Sequence, residues 1–146
     1  MNPNMRGEKL RQVFNSLGFS NVSTVIASGN VVFDSTSTSP TSLETKIEEA
    51  LPRILGFNST TIVRSRSELE ALAAKNPFKG VLDEKPNYLV VTFFKDRQEQ
   101  LCRVLDMSLE KTPNFMAEVE KKYGKAITTR TWKTVHRILK RMNETP

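Results

Sequence analysis

Cysteine and histidine are nearly absent from this chain. Cys102 and His136 are the single examples in 146 residues. A lone cysteine cannot close an intrachain disulfide, and a reducing, cytoplasmic setting is therefore expected. One cysteine and one histidine cannot build a structural zinc site. Neither stands in an activated-nucleophile signature, so no Cys–His catalytic pair is expected. Cys102 is expected to face the core from a helix, beside Leu101 and Leu105. His136 falls in a basic helix, where a solvated or phosphate-facing role suits it.

Other signatures are missing too. Asp and Glu are scattered without the spacing of a calcium loop, so no metal is expected. There is no G-x-x-x-x-G-K-[ST] and no G-x-G-x-x-G, which excludes the common phosphate-binding loops, and no cofactor is expected. Apolar runs such as Tyr88-Leu-Val-Val and Phe93-Phe94 are far too short to cross a bilayer. Met1-Asn-Pro-Asn-Met offers no apolar h-region, so no secretory signal is expected. No residue is assigned a catalytic role.

The most informative absence is of negative charge. Residues 121–143 hold eight Lys or Arg and no Asp or Glu. The chain has 22 basic and 16 acidic residues, a net charge of +6. Without those eight, the rest carries 14 basic and 16 acidic residues, a net charge of −2. The positive character is thus concentrated near the C-terminal end, where it would attract nucleic acid or phosphorylated ligands.

What is present is a mixture of strand and helix patterns. Leu10, Val13, Phe14 and Leu17 recur at helical spacing and Gly18 follows, giving a helix over residues 5–17. Residues 22–27 and 31–33 read as strands around the turn Ser28-Gly29-Asn30, a β-hairpin. A polar Ser/Thr loop occupies residues 35–42. Thr41 and Glu44 match a capping box, followed by the apolar stripe Leu43, Ile47, Ala50, Leu51 and Ile54. Pro52 is expected to kink that helix or end it early. Residues 60–64 read as a short strand. Ser65 and Glu68 repeat the capping box, with Leu69 and Leu72 facing inward, and Asn76-Pro77 closes the helix.

Residues 88–94 are the strongest strand in the chain. A helix is expected from Asp96, with Leu101, Val104 and Leu105 buried. Thr112-Pro113 opens a short helix lined by Phe115, Met116, Val119 and Tyr123 and stopped by Gly124. The last helix begins near Thr131, with Trp132, Val135, Ile138, Leu139 and Met142 on one face. The order implies an α+β architecture. Residues 1–80 read as a ferredoxin-like unit of order α-β-β-α-β, which is βαββαβ without its opening strand. Residues 81–146 form a short, helix-rich second half ending in the basic amphipathic helix, and the two stretches can pack as one domain.

The candidate site residues follow from charge and turn chemistry. Lys133, Arg137, Lys140 and Arg141 are candidate nucleic-acid contacts, against the plainer reading of a solvated helix face. Arg130 is the candidate for an anionic ligand, because a guanidinium at a helix N-terminus opposes the helix dipole unless a carboxylate or ligand meets it. Ser28 and Asn30 are candidate ligand contacts through the exposed amides of their turn, against the reading of an ordinary hairpin turn. Thr128 or Thr129 is expected to cap the last helix, with Trp132 as its core anchor.

Two stretches carry a family resemblance. One is Leu17-Gly-Phe19 leading to Ser28-Gly-Asn-Val-Val-Phe33; the other is Tyr123-Gly124 leading to Thr128-Thr-Arg-Thr-Trp-Lys-Thr-Val135. With Val63-Arg-Ser65, Glu68-Leu69 and Asn76-Pro-Phe78 between them, the chain resembles the bacterial family catalogued as domain of unknown function 1697. The resemblance implies an α+β fold built from ferredoxin-like units and no established activity. Against the family pattern, Met1-Asn-Pro-Asn stands where an apolar strand and an Arg-Gly-Ile-Asn-like loop are usual. Residues 95–127 are short, and Thr131 and Lys133 replace asparagines. A unit without its opening strand exposes backbone at a sheet edge. Either residues 88–94 close that sheet, or another chain does, or the start of the chain is misassigned, and self-association or marginal stability is expected.

Overall fold

The computed structural model describes residues 7–25, 29–37, 39–95, 100–106, 115–124 and 126–144. It divides into two compact units, residues 1–66 with 136–146, and residues 67–135. Among the described residues there are five helices and two antiparallel sheets, an α+β protein with the helix–strand order of ferredoxin-like units.

The first unit opens with α1 (Gly7–Ser16), which buries Leu10, Val13 and Phe14. Gly18 follows at φ 89°, a left-handed conformation that glycine adopts without a Cβ clash. Strands β1 (Ser20–Thr24) and β2 (Val31–Asp34) then pair antiparallel. The hairpin expected from the sequence is present, but its first strand ends at Thr24. The Val25 amide donates to the Asn30 carbonyl at 3.0 Å and closes the loop. Gly29 sits at φ 90°. The β1–β2 register is irregular between Ser20 and Ser23, where Asn21 adopts φ 51°.

Helix α2 (Pro40–Leu55) is capped by Ser39, whose hydroxyl accepts from the Ser42 amide, with Pro40 at the first helical position. This corrects the capping box expected at Thr41. Pro52 does not end the helix, which runs on to Leu55 and stops at Gly56 in the left-handed region. Phe14, Phe19 and Phe33 pack as a ring trio, with centroids 4.4 to 5.9 Å apart, onto Leu43, Ile47, Ala50 and Leu51.

The strand expected at residues 60–64 forms no ladder among the described residues. Its alternate amides are met by helix carboxylates instead. Thr61 N–H donates to Glu48 Oε2 at 3.1 Å and Val63 N–H to Glu44 Oε2 at 2.8 Å. Glu44, which a capping box would turn back to the helix start, is only 5% exposed and is spent on this contact.

The second unit contains most of α3 (Arg66–Ala74), with Leu69 and Leu72 buried as expected. Its sheet runs β4-β3-β5, from β3 (Asn87–Phe94), β4 (Gln100–Asp106) and β5 (Ile127–Thr131). Leu89 through Phe94 are all buried, so β3 is covered on both faces. Helix α4 (Phe115–Tyr123) brings Val119 and Tyr123 to Val90, with Leu105 and Ile127 beside them. Phe94 meets Tyr123 edge-on at 5.0 Å. The Thr92 and Thr129 hydroxyls share a hydrogen bond of 2.7 Å, which satisfies the fully buried Thr92.

Three expectations are corrected in this unit. Residues 100–106 form a strand, not part of a helix from Asp96; residues 96–99 lie outside the described residues. Leu101 and Leu105 fit either period, but Val104, expected to be buried, is exposed on the other face, and pairing with residues 87–93 of β3 decides the matter. Residues 127–131 form a strand that the sequence reading missed. Finally, β3 joins this sheet and does not close the β1–β2 pair. Helix α5 (Trp132–Glu144) starts in the second unit and continues from His136 in the first.

Candidate binding surfaces

Arg130 lies in β5, one residue before the cap of α5. The cap is Thr131, whose hydroxyl accepts from the Thr134 amide at 3.2 Å. Thr128 and Thr129, expected as caps, belong to the strand. Arg130 therefore lies outside the helix but still beside the positive end of its dipole. Arg130 pairs with Val91 and Thr128 with Phe93, which puts both side chains on one face of the sheet. Its guanidinium donates to Thr128 Oγ1 at 2.6 Å and to the Thr129 carbonyl at 2.9 Å. The side chain is half-buried, and that burial lowers its pKa from the ordinary arginine value.

Ser28 and Asn30 are the other two ligand candidates. Asn30 belongs to the first unit and Arg130 to the second. Asn30 Nδ2 donates to the Val25 carbonyl at 3.1 Å, so its amide helps to close the hairpin turn. Ser28 lies outside the described residues.

The basic helix is the larger feature. Trp132 and Val135 are buried, and Ile138, Leu139 and Met142 are half-buried, while Lys133, Arg137, Lys140 and Arg141 are exposed. A step of about 100° per residue gathers those four cations within an arc of roughly 100°. Glu144 lies in the same arc, and its carboxylate accepts from Arg141 Nη1 at 3.1 Å. Arg141 Nε also donates to Ser23 Oγ at 3.2 Å, while Arg66 Nη1 donates to the Met142 carbonyl at 3.3 Å. Arg141 thus fixes the helix within its own unit as well as carrying charge. Residues 121–143, read as free of acid, stop one residue short of Glu144.

Cys102 lies in β4 and not on the expected helix; it pairs with Val91 of β3 and is half-buried. Burial pushes its thiol up from the ordinary value, with Lys75 opposing in part. A thiol held protonated is a poor nucleophile. His136 is exposed on α5. Among the described residues, no group of three or more His, Cys, Asp or Glu side chains is placed to hold a metal ion, and no helix is long and apolar enough to cross a membrane.

The sequence reading missed the Glu44–Glu48 pair. One signal was available: Glu44 is one turn before Ile47 and two before Leu51, a carboxylate on the apolar stripe of α2. A charge at such a position requires a partner.

These features define an α+β protein of ferredoxin-like order whose distinctive exposed chemistry is cationic. The chain belongs to the family described as Protein of unknown function (DUF1697), whose model matches residues 2–123. That span includes Leu17-Gly-Phe19 and residues 28–33, and it ends before β5 and α5. No curated protein and no solved structure matches the chain.

Proposed function

We propose that the protein is a non-catalytic binding module that contacts nucleic acid or another polyanion through α5, in a cytoplasmic setting. One observation carries the reading: Lys133, Arg137, Lys140 and Arg141 are exposed within one arc of a helix anchored by Trp132 and Val135. Such a stripe supplies phosphate neutralisation without base-specific geometry. The internal contacts of Arg141 make Lys133, Arg137 and Lys140 the main contributors. A pocket near Arg130 for a small anionic ligand is the weaker reading, since neighbouring threonines already receive donors from that guanidinium.

The test is fluorescence anisotropy with labelled single- and double-stranded oligonucleotides across a salt series. Each neutralised phosphate contributes roughly −0.9 to the slope of log K against log salt on duplex DNA. Changing Lys133, Arg137 and Lys140 to Gln is expected to remove most of that slope, with Arg141→Gln adding little. No binding at low salt would reduce α5 to a solvated face. A loss caused by Arg130→Ala alone would favour the pocket.

A further inference from the structure

The cations of α5 are not equally available. Arg141 is bonded to Ser23 and to Glu144. Lys133, Arg137 and Lys140 are exposed and make no hydrogen bond or ion pair among the described residues. They stand at positions i, i+4 and i+7, so a step of about 100° per residue gathers them within an arc of roughly 60°. At about 1.5 Å per residue, the line they form is about 10.5 Å long. One strand of a duplex carries a phosphate about every 3.4 Å of axis, so the line spans about three phosphates of a single strand. The second strand doubles the charge density around them.

The chemistry that holds single strands is missing from the same face. Proteins that bind unpaired nucleic acid stack its bases on aromatic rings along a basic groove. Besides its four cations, the exposed arc of α5 holds His136, Asn143 and Glu144. Trp132 is buried and meets Phe78 edge-on at 5.3 Å, so its ring is not offered to a base. Among the described residues, Tyr88 on β3 is the single exposed Phe, Tyr or Trp. A line of unpartnered charge without stacking rings favours the ligand of highest charge density over the ligand with free bases.

We propose that the ligand of α5 is duplex nucleic acid, held by the phosphates of one strand along Lys133, Arg137 and Lys140. The proposal rests on the α5 reading and names its ligand. The shared chemistry of DNA and RNA duplexes, a paired phosphate backbone, is what the line recognises.

The probes are a labelled DNA duplex, an RNA duplex of the same sequence and an oligo-dT strand of equal length. The full chain is titrated into each across a salt series. Three contacts give a slope of log K against log salt of roughly −2.7 on duplex DNA and roughly −2.1 on a single strand. With no stacking to add, that difference is a preference of about fourfold for the duplex at about 0.1 M salt, widening as salt falls. The two duplexes should bind alike. Changing Lys133, Arg137 and Lys140 to Gln should abolish the preference, and His136→Ala should leave it unchanged. Single-strand binding as tight as duplex binding would overturn the proposal and leave α5 a polyanion surface. A tenfold difference between the DNA and RNA duplexes would show that sugar or groove is read, and would overturn it in the same way. A duplex preference that survives the Gln substitutions, or no binding to any probe, would overturn both this proposal and the α5 reading.

Discussion

The two units solve the same problem with different materials. In the second, β3 has neighbours on both edges and cover on both faces, so its backbone is satisfied by ladders and its side chains by packing. In the first, packing is comparable but the ladder is short. Three phenylalanines, α1 and α2 form a core over a two-stranded pair, and two glutamates take amides that a strand would otherwise take. An isolated two-stranded hairpin is marginal in water, so side-chain packing must hold the first unit together. Apolar cover and backbone satisfaction are separable, and only the second unit obtains both from its sheet.

The largest expected effect tests that division. Phe14→Ala removes the ring that touches both Phe19 and Phe33, and should cost about 3–5 kcal/mol in denaturant unfolding. Hydrogen exchange should collapse in α1, β1 and α2 while β3 amides stay protected. Equal collapse in β3 would mean that the units unfold together, and the comparison would fail.

Next comes Glu44→Leu, which keeps side-chain bulk but strips the Val63 amide of its acceptor. An unsatisfied buried amide costs about 1–3 kcal/mol. Glu48→Leu should cost less, since Glu48 is less buried than Glu44. Equal stability of Glu44→Leu and the parent chain would show that the carboxylate contributes nothing to holding residues 60–64.

These two positions also show how far the sequence could be read. The helical stripes, the hairpin, β3 and the face of α5 were legible, because each announces its period within a few residues. The strand at residues 100–106 and the use of Glu44 were not, because each depends on a partner distant in sequence, whereas the cap at Ser39 is local and was hidden by the competing Thr41–Glu44 box. Ile127-Thr-Thr-Arg-Thr is rich in β-branched residues and could have been read as a strand. Threonine is also a good cap, and that reading prevailed over the strand. The candidate site fared similarly: α5 kept its exposed cations, while Arg130 turned out to be a strand residue bonded to its neighbours.

The cap correction can itself be checked. Thr131→Ala should destabilise the start of α5 by about 1 kcal/mol, and Thr128→Ala should leave that helix end unchanged. Exchange at the amide of Thr134 is the direct measurement. A larger effect there from Thr128→Ala would restore the earlier cap.

The smallest effect belongs to Cys102, which titrates in the second unit alone. Burial raises its thiol above the ordinary value of 9.0, so the folded chain keeps a proton that the unfolded chain has lost. The stability tied to this group is therefore complete below pH 9.0 and declines as pH rises toward the folded value. Cys102→Ala should remove that alkaline decline from β3 exchange and leave α1 exchange untouched. At neutral pH the native thiol should react with iodoacetamide more slowly than free cysteine, because little thiolate is present. Native alkylation as fast as that of free cysteine would show that the sheet of the second unit opens readily at β4, and that its backbone is no better protected than that of the first.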